Sequence, residues 1–356
     1  MNALDESQPI SLLNLSEGQL HESLAHECGS HVPRFRATQI CEWIYRHRVT
    51  RFEEMANVPA DLREALVRRY VIVQSEAVVE QRSTDGTHKI LLRWRSGGTT
   101  ECVLIPSEDR VTACISTQVG CPVKCTFCAS GLGGLERNLS VGEIVEQAWR
   151  IAGLCASLGR RLSNVVFMGL GEPLANYDAT VGALRTINAS WGLAIGARKI
   201  TISTVGLPGQ MRRLAGEDLQ ITLALSLHAP TDELRRELIP WADRVSIDEL
   251  VAACRHYFDR TGREVTLEYI LLDGVNNLPR HAEQLAGVSK RMRSNVNLIC
   301  YNEVAESGFK RPTNESVARF AAVLSERGVN CNVRRSRGRD IDAACGQLRQ
   351  KTSQPR

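Results

Sequence analysis

From residue 111 to residue 335 the chain keeps one rhythm: a short apolar run, then an amphipathic stretch, repeated. Strands are expected over 111–117, 164–168, 199–204, 220–226, 264–271 and 295–300, with a last one over 329–335. Between them, segments such as 141–154, 279–292 and 314–327 space their apolar residues as a helix with one buried face does. Strands alternating with helices pair in parallel, and their right-handed crossovers curl the sheet toward a barrel. Six such units fall short of the eight that close one. The expected fold class is α/β, a partial (β/α)6 barrel over 111–356.

The pattern upstream differs. Residues 1–75 read as a helical accessory domain, with Gln39-Ile40-Cys41-Glu42-Trp43-Ile44-Tyr45 at helical period and a helix start near Pro59. Residues 76–110 read as a β-rich connecting segment: runs at 89–94 and 101–106 suit strands, and Asp85-Gly86 and Gly97-Gly98 suit turns. Neither a solenoid repeat nor a low-complexity tract interrupts the chain.

Barrels of this kind work from the C-terminal ends of their strands, and polar loops collect there. Gly169-Leu170-Gly171-Glu172-Pro173 follows the second strand and Ser203-Thr204-Val205-Gly206 ends the third. Ser226-Leu227-His228 ends the fourth, and Asn302 lies just after the sixth. After the first comes Gly120-Cys121-Pro122-Val123-Lys124-Cys125-Thr126-Phe127-Cys128, a C-x3-C-x2-C. Three thiolates from one tight loop are one ligand short of a closed four-cysteine iron–sulfur site, so a [4Fe–4S] cube held there keeps one iron open. An open iron can chelate a small molecule through an amino and a carboxylate group, as radical S-adenosylmethionine (SAM) enzymes do. Phe127 offers the adenine of SAM a packing face. A zinc knuckle would want a fourth Cys or His at matching spacing. Cys114, seven residues before Cys121, could close such a site or a ferredoxin-like one, so both readings stand at this point.

Other residues fit a SAM pocket but have plain alternatives. Gly171 lacks the Cβ that would keep a ligand from the backbone, and Glu172 can accept hydrogen bonds from an ammonium group, though Gly-Glu-Pro is also an ordinary strand-to-helix turn. Ser203, Ser226, His228 and Asn302 are neutral donor–acceptors suited to ribose hydroxyls, a carboxylate or adenine edges. Singly, each is more often a structural polar group.

Composition excludes several classes. Twelve cysteines without a basic-then-apolar leader argue against a secreted disulfide scaffold, and no apolar run is long enough to span a membrane, so a cytoplasmic location is expected. A net charge of +4 announces no nucleic-acid binder. The arginines cluster, however: Arg34, Arg36, Arg46, Arg48 and Arg51 at one end, Arg334, Arg335, Arg337 and Arg339 at the other. Such clusters are solvated faces or grips for phosphates.

Together these segments resemble the RlmN-type family of radical SAM RNA adenine methyltransferases, over almost the whole chain. The resemblance is carried by the cysteine triplet, Gly171-Glu172-Pro173-Leu174 and Ser226-Leu227-His228. More specific are Cys114-Ile115-Ser116-Thr117-Gln118-Val119-Gly120-Cys121 and the tail Asp340-Ile341-Asp342-Ala343-Ala344-Cys345-Gly346-Gln347-Leu348. The resemblance implies a radical SAM partial barrel whose N-terminal helical domain recognises RNA. It implies a [4Fe–4S] cluster on Cys121, Cys125 and Cys128, and two SAM molecules per turnover. SAM would be bound by Gly171, Glu172, Ser203, Ser226, Leu227, His228 and Asn302. The implied substrates are 23S rRNA and tRNA, the reductant a protein such as flavodoxin, and the enzyme a monomer.

The implied chemistry answers a physical difficulty. Adenine C2 is an electron-poor carbon that cannot attack a methyl sulfonium. In the family a cysteine, by motif match Cys345, is first methylated by one SAM. A radical made from the second SAM takes hydrogen from that methyl group, and the carbon radical adds to the ring, joining protein to RNA. Glu101 matches the family's proton acceptor. Cys114 matches the thiol that resolves the adduct through a transient disulfide with Cys345, a role that removes it as a fourth cluster ligand. A relative methylates C8 of an rRNA adenine by the same two-cysteine chemistry and confers antibiotic resistance; Pro173 resembles the C2 branch. A non-catalytic iron–sulfur or zinc RNA-binding protein is the alternative from another class. One segment departs from the family pattern: Asn297-Leu298-Ile299-Cys300-Tyr301-Asn302-Glu303 keeps the asparagine but lacks both prolines, which predicts a more mobile loop. Cys300 and Cys331 match no family role.

Overall fold

Strands whose residues are apolar in succession belong to sheets covered on both faces, and all seven residues of Val265–Leu271 are buried. The computed structural model describes residues 9–28 and 32–349. Its main sheet has ten strands. In order across the sheet they are Cys331–Arg334, Ser294–Cys300, Val265–Leu271, Thr222–Ser226, Ile200–Thr204, Asn164–Phe167, Val111–Cys114, Thr99–Pro106, His88–Trp94 and Ser75–Arg82. Six parallel pairings join the first seven, the strands of the expected partial barrel. The last three are antiparallel neighbours, so the segment 76–110 extends the barrel's own sheet.

The first barrel strand, expected over 111–117, stops at Cys114. A helix side chain takes over there: Gln147 Oε1 accepts from Ser116 N at 2.8 Å, and its Nε2 donates to Ser116 O at 2.9 Å. Released from the sheet, the chain forms a small ribbon, Gln118–Gly120 against Leu135–Asn138, from which the cysteine loop projects.

Amphipathic helices cover the barrel strands, among them Val141–Ser157, Tyr177–Asn188, Ile247–Thr261, Pro279–Ser289 and Asn314–Glu326. No described helix is long and apolar enough to cross a membrane. The N-terminal helices Glu17–Cys28, Phe35–Glu42 and Ala60–Arg69 share one continuous apolar core with the barrel, with Leu13, Leu24, Ile40 and Leu66 packed into the cluster that holds Ile144 and Ala148. Two hydrogen bonds fix this docking, Trp149 Nε1 to Ile44 O at 2.7 Å and Gly142 N to Asn14 Oδ1 at 2.6 Å.

After Cys331–Arg334, at one edge of the sheet, the chain reaches the turn that joins the two strands at the other edge. Ser83 Oγ donates to Asp340 Oδ1 at 2.6 Å, and Gly338 N donates to Asp85 Oδ2 at 2.9 Å. The tail also touches the cysteine loop, through Ala129 N to Gly346 O at 2.8 Å. One segment thus spans the gap between the edges of an open sheet.

Candidate active site

The cysteine loop is pinned by Val123 and Phe127, which are buried together in a small apolar cluster. Lys124, between them, adopts a left-handed φ of 57°. Burial pushes the Cys121 thiol up to about 12, partly offset by the N–H groups of Val123 and Lys124. Burial raises Cys128 too, against the N–H groups of Ser130 and Gly131. Such neighbours suit thiolates that a cation has deprotonated. Among the described residues no three His, Cys, Asp or Glu side chains converge on a single ion. A cubane takes one cysteine on each of three irons, so three thiols from one loop suit it.

The three cysteines line a cavity of about 930 Å³, counting its open mouth. Gly171, Glu172, Ser203, Ser226 and His228 line it as well. Gly171 has φ +102°, and a Cβ there would meet Gln118 Cβ at 2.7 Å, so only glycine lets this loop lie against the strand exit. Glu172 Oε1 accepts from Leu174 N at 3.0 Å and Oε2 from Val205 N at 2.8 Å, while burial pushes its pKa up to about 7. The hydroxyls of Ser203 and Ser226 lie 3.2 Å apart.

His228 Nδ1 accepts from Ile270 N at 3.1 Å. Burial, helped by the Arg235 charge, pushes its pKa down to about 3, so the ring is neutral and presents Nε2–H. Phe127 packs edge-on against this ring, centroids 5.1 Å apart. Leu227, by contrast, is a core residue that does not line the cavity.

Sequence reasoning passed over Glu268. Its side chain is 4% exposed and lines this cavity. Oε1 accepts from Asn297 Nδ2 at 2.9 Å and lies 3.5 Å from Arg334 Nη1, while Oε2 has no partner. The readable signal was one carboxylate in an otherwise uncharged buried strand, because such a group needs a reason to be there.

A second cavity, of about 590 Å³, adjoins the first. Cys114 and Cys345 both line it, with Asn302, Arg335 and Arg337. Met168, Ile299, Arg334 and Cys345 line both cavities and form the partition. Cys345 is open to this space yet has protein all around it, so desolvation raises its pKa while the Arg334 charge lowers it. Burial raises Cys114 as well, and negative charge on either thiol disfavours charge on the other.

Asn302 does not line the first cavity; its Nδ2 donates to Cys345 O at 3.2 Å. Nearby, Gln347 Nε2 donates to Glu303 O at 3.2 Å and Arg311 Nη1 to Tyr301 O at 3.0 Å. The loop that lacks the family's prolines is therefore tied down by side chains, and it supports the thiol loop. Cys300 is buried in the main core and Cys331 packs against it.

Glu101 lines neither cavity. It pairs with Lys89, Nζ to Oε1 at 3.0 Å, and its Oε2 accepts from Arg349 N at 2.8 Å. On its strand Glu101 shares a face with Val103, which stands opposite Cys114. The carboxylate is therefore on the face of the sheet that carries Cys114. Of the two arginine clusters, the C-terminal one reaches the cavities, whereas Arg34, Arg36, Arg46, Arg48 and Arg51 line neither.

Comparison with known proteins agrees along the chain. Residues 115–285 match the family model described as radical SAM superfamily, and residues 10–72 match that of the ribosomal RNA large subunit methyltransferase N-terminal domain. A protein of Thermosynechococcus vestitus named "Probable dual-specificity RNA methyltransferase RlmN" is 48% identical over 318 residues, 89% of this chain and 93% of that protein. One of the same name from Geobacillus kaustophilus is 44% identical over 351 residues, 98% and 95% of the two chains. The crystal structure of a radical SAM methyltransferase from Sphaerobacter thermophilus superimposes with a TM-score of 0.93, at 45% identity, covering 96% of this chain and 100% of that one.

Proposed function

The chain belongs to the RlmN family of radical SAM RNA methyltransferases, and on that premise we propose that it methylates adenine C2 in 23S rRNA and in tRNA, with Cys345 as the methyl carrier. Cys121, Cys125 and Cys128 would hold a [4Fe–4S] cluster, which would supply electrons for SAM cleavage drawn from a one-electron reductant such as flavodoxin. Gly171 and Glu172 receive the amino-acid end of SAM, and Ser203, Ser226 and His228 Nε2–H face its adenosyl end.

The remaining work falls to the chain's own side chains. Cys345 accepts a methyl group from the first SAM as a thiolate, which Arg334 favours. Because the Cys345 side chain lies on the partition, its methyl group reaches both the SAM cavity and the cavity where the base enters. Arg335 and Arg337 at that second cavity hold phosphates beside an extruded adenine. Glu101 takes the C2 proton as the adduct gives up its unpaired electron, for which the oxidised cluster would be the acceptor. Cys114 then attacks the sulfur of Cys345: the sulfur–carbon bond breaks, its electron pair leaves with the ring-bound CH2, which takes up a proton to become the methyl group, and a Cys114–Cys345 disulfide remains. The N-terminal helical domain is assigned to RNA recognition, and a single chain supplies every group named.

The observation that carries this reading is the meeting of Cys114 and Cys345 on one cavity beside the cysteine triplet. Nucleoside mass spectrometry of rRNA and tRNA, from cells lacking their own enzyme but expressing this chain, tests it. 2-Methyladenosine is expected in both fractions. 8-Methyladenosine would place the chain with the resistance enzymes, and neither product, from a chain shown to hold its cluster, would overturn the reading.

A further inference from the structure

Lysine is rarely buried, because its ammonium group gives up water at high cost. Lys89 is nevertheless buried with 3% of its side chain exposed, on strand His88–Trp94, one strand in from the edge of the sheet. Its Nζ has two partners. One is Glu101 Oε1 at 3.0 Å, and the other is the backbone carbonyl of Asp342 at 3.1 Å. Asp342 precedes Cys345 by three residues. On the far side of Cys345, Arg349 N donates to Glu101 Oε2 at 2.8 Å. One buried ion pair therefore holds the thiol segment on both flanks of its cysteine, residue 342 through Lys89 and residue 349 through Glu101.

We propose that Lys89 is a positioning residue for proton removal, linking the carboxylate of Glu101 to the docking of the Cys345 segment. The inference rests on the assignment of Glu101 as proton acceptor made above. With the segment docked, both carboxylate oxygens are occupied, one by Lys89 and one by the Arg349 N–H. When the segment lifts with Cys345 bonded to adenine, the Arg349 N–H leaves Oε2 and the Asp342 carbonyl leaves Lys89. Lys89 still holds Oε1, which keeps the carboxylate fixed in place while Oε2 becomes free. The C2 proton then passes to Oε2, the C–H bonding pair stays with the adduct, and the carboxylate becomes a neutral acid. A carboxylate freed only by the bonded segment acts on the adduct alone.

The test uses the reconstituted full-length enzyme with its RNA and compares Lys89→Met, Lys89→Arg and Glu101→Gln. Three quantities are read: S-methylation of Cys345 by intact mass, covalent protein–RNA species on denaturing gels, and methyladenosine. Lys89→Met is expected to keep its cluster and its S-methyl group, to make methyladenosine at least ten-fold more slowly, and to accumulate the protein–RNA species as Glu101→Gln does. Lys89→Arg is expected to restore most of the turnover. A lysine that merely supported the fold would lower all three readouts together.

Turnover by Lys89→Met without the protein–RNA species, while Glu101→Gln accumulates it, would overturn the role of Lys89 alone. Absence of that species in Glu101→Gln would instead overturn the assignment of the base. If the single variant fails to fold, the double variant Lys89→Met/Glu101→Gln, which leaves no unpaired charge, decides. Loss equal to that of Glu101→Gln supports the coupling, and a loss beyond it refutes it.

Discussion

The side-chain amide of Asn302 donates to the backbone carbonyl of Cys345 across 3.2 Å. The loop that departs from the family pattern is therefore the socket of the thiol segment, and Asn302 acts on that segment from outside the SAM cavity.

Asn302→Ala separates this placement from the SAM-binding role that its motif implies. One hydrogen bond is worth about 1 kcal/mol net, so methyl transfer to RNA should slow about five-fold. Calorimetric titration with SAM should show unchanged affinity. A weakened SAM affinity with normal transfer would return Asn302 to the SAM site.

The two thiols should fail in opposite ways. Cys345→Ala is expected to abolish both the protein-bound methyl group and methyladenosine, and Cys114→Ala to trap protein bonded to RNA on denaturing gels. Visible absorbance after anaerobic reconstitution adds a control: Cys125→Ala should lose the cluster and Cys114→Ala should keep it. Methyladenosine made by Cys345→Ala would rule out the carrier mechanism.

Glu268 Oε2 is a buried acceptor with nothing to accept. A ligand donor in the first cavity would satisfy it, and Glu268→Gln can set an amide donor there instead. SAM or RNA affinity should fall about ten-fold, as expected for a charge-assisted hydrogen bond of about 1.5 kcal/mol. Titrating each ligand separately shows which one supplies the donor, and unchanged affinity for both would leave Glu268 a structural acid.

His228 sets a pH dependence. Its pKa lies at about 3 in the fold against 6.5 unperturbed, so between those values the unfolded chain binds the extra proton. The stability that the neutral ring contributes is complete above pH 6.5 and is lost as pH falls, by about 2 kcal/mol at pH 5. Thermal midpoints measured from pH 7 to pH 5 should drop more steeply for the wild type than for His228→Gln. Equal slopes would mean that the ring is protonated without cost.

What could be read in advance was whatever repeats or clusters locally. Strand–helix alternation revealed the seven parallel strands, and tight spacing revealed the cysteine triplet. The end of the first strand was hidden, because the group that terminates it, the Gln147 amide, lies 31 residues downstream of Ser116. Motif matching picked out Glu101 and Asn302 but could not say which wall either one faces. Their surroundings are built by a tail that folds back across the molecule, so that Asp340 meets Ser83 from 257 residues away. Glu268 was legible in principle, as the one charge in a buried strand, and was missed because its neighbours read as plain core.

That returning tail bridges the two edges of the open sheet, with Cys345 near its middle. The residue assigned to ferry a methyl group thus rides on the seam between the edges of the open sheet. A ferry can be tightened without harm to its container, but a seam cannot. Any change that stiffens residues 338–349 should slow delivery, and any that loosens them should let water into the cavity assigned to SAM. The usable range of motion is bounded on both sides.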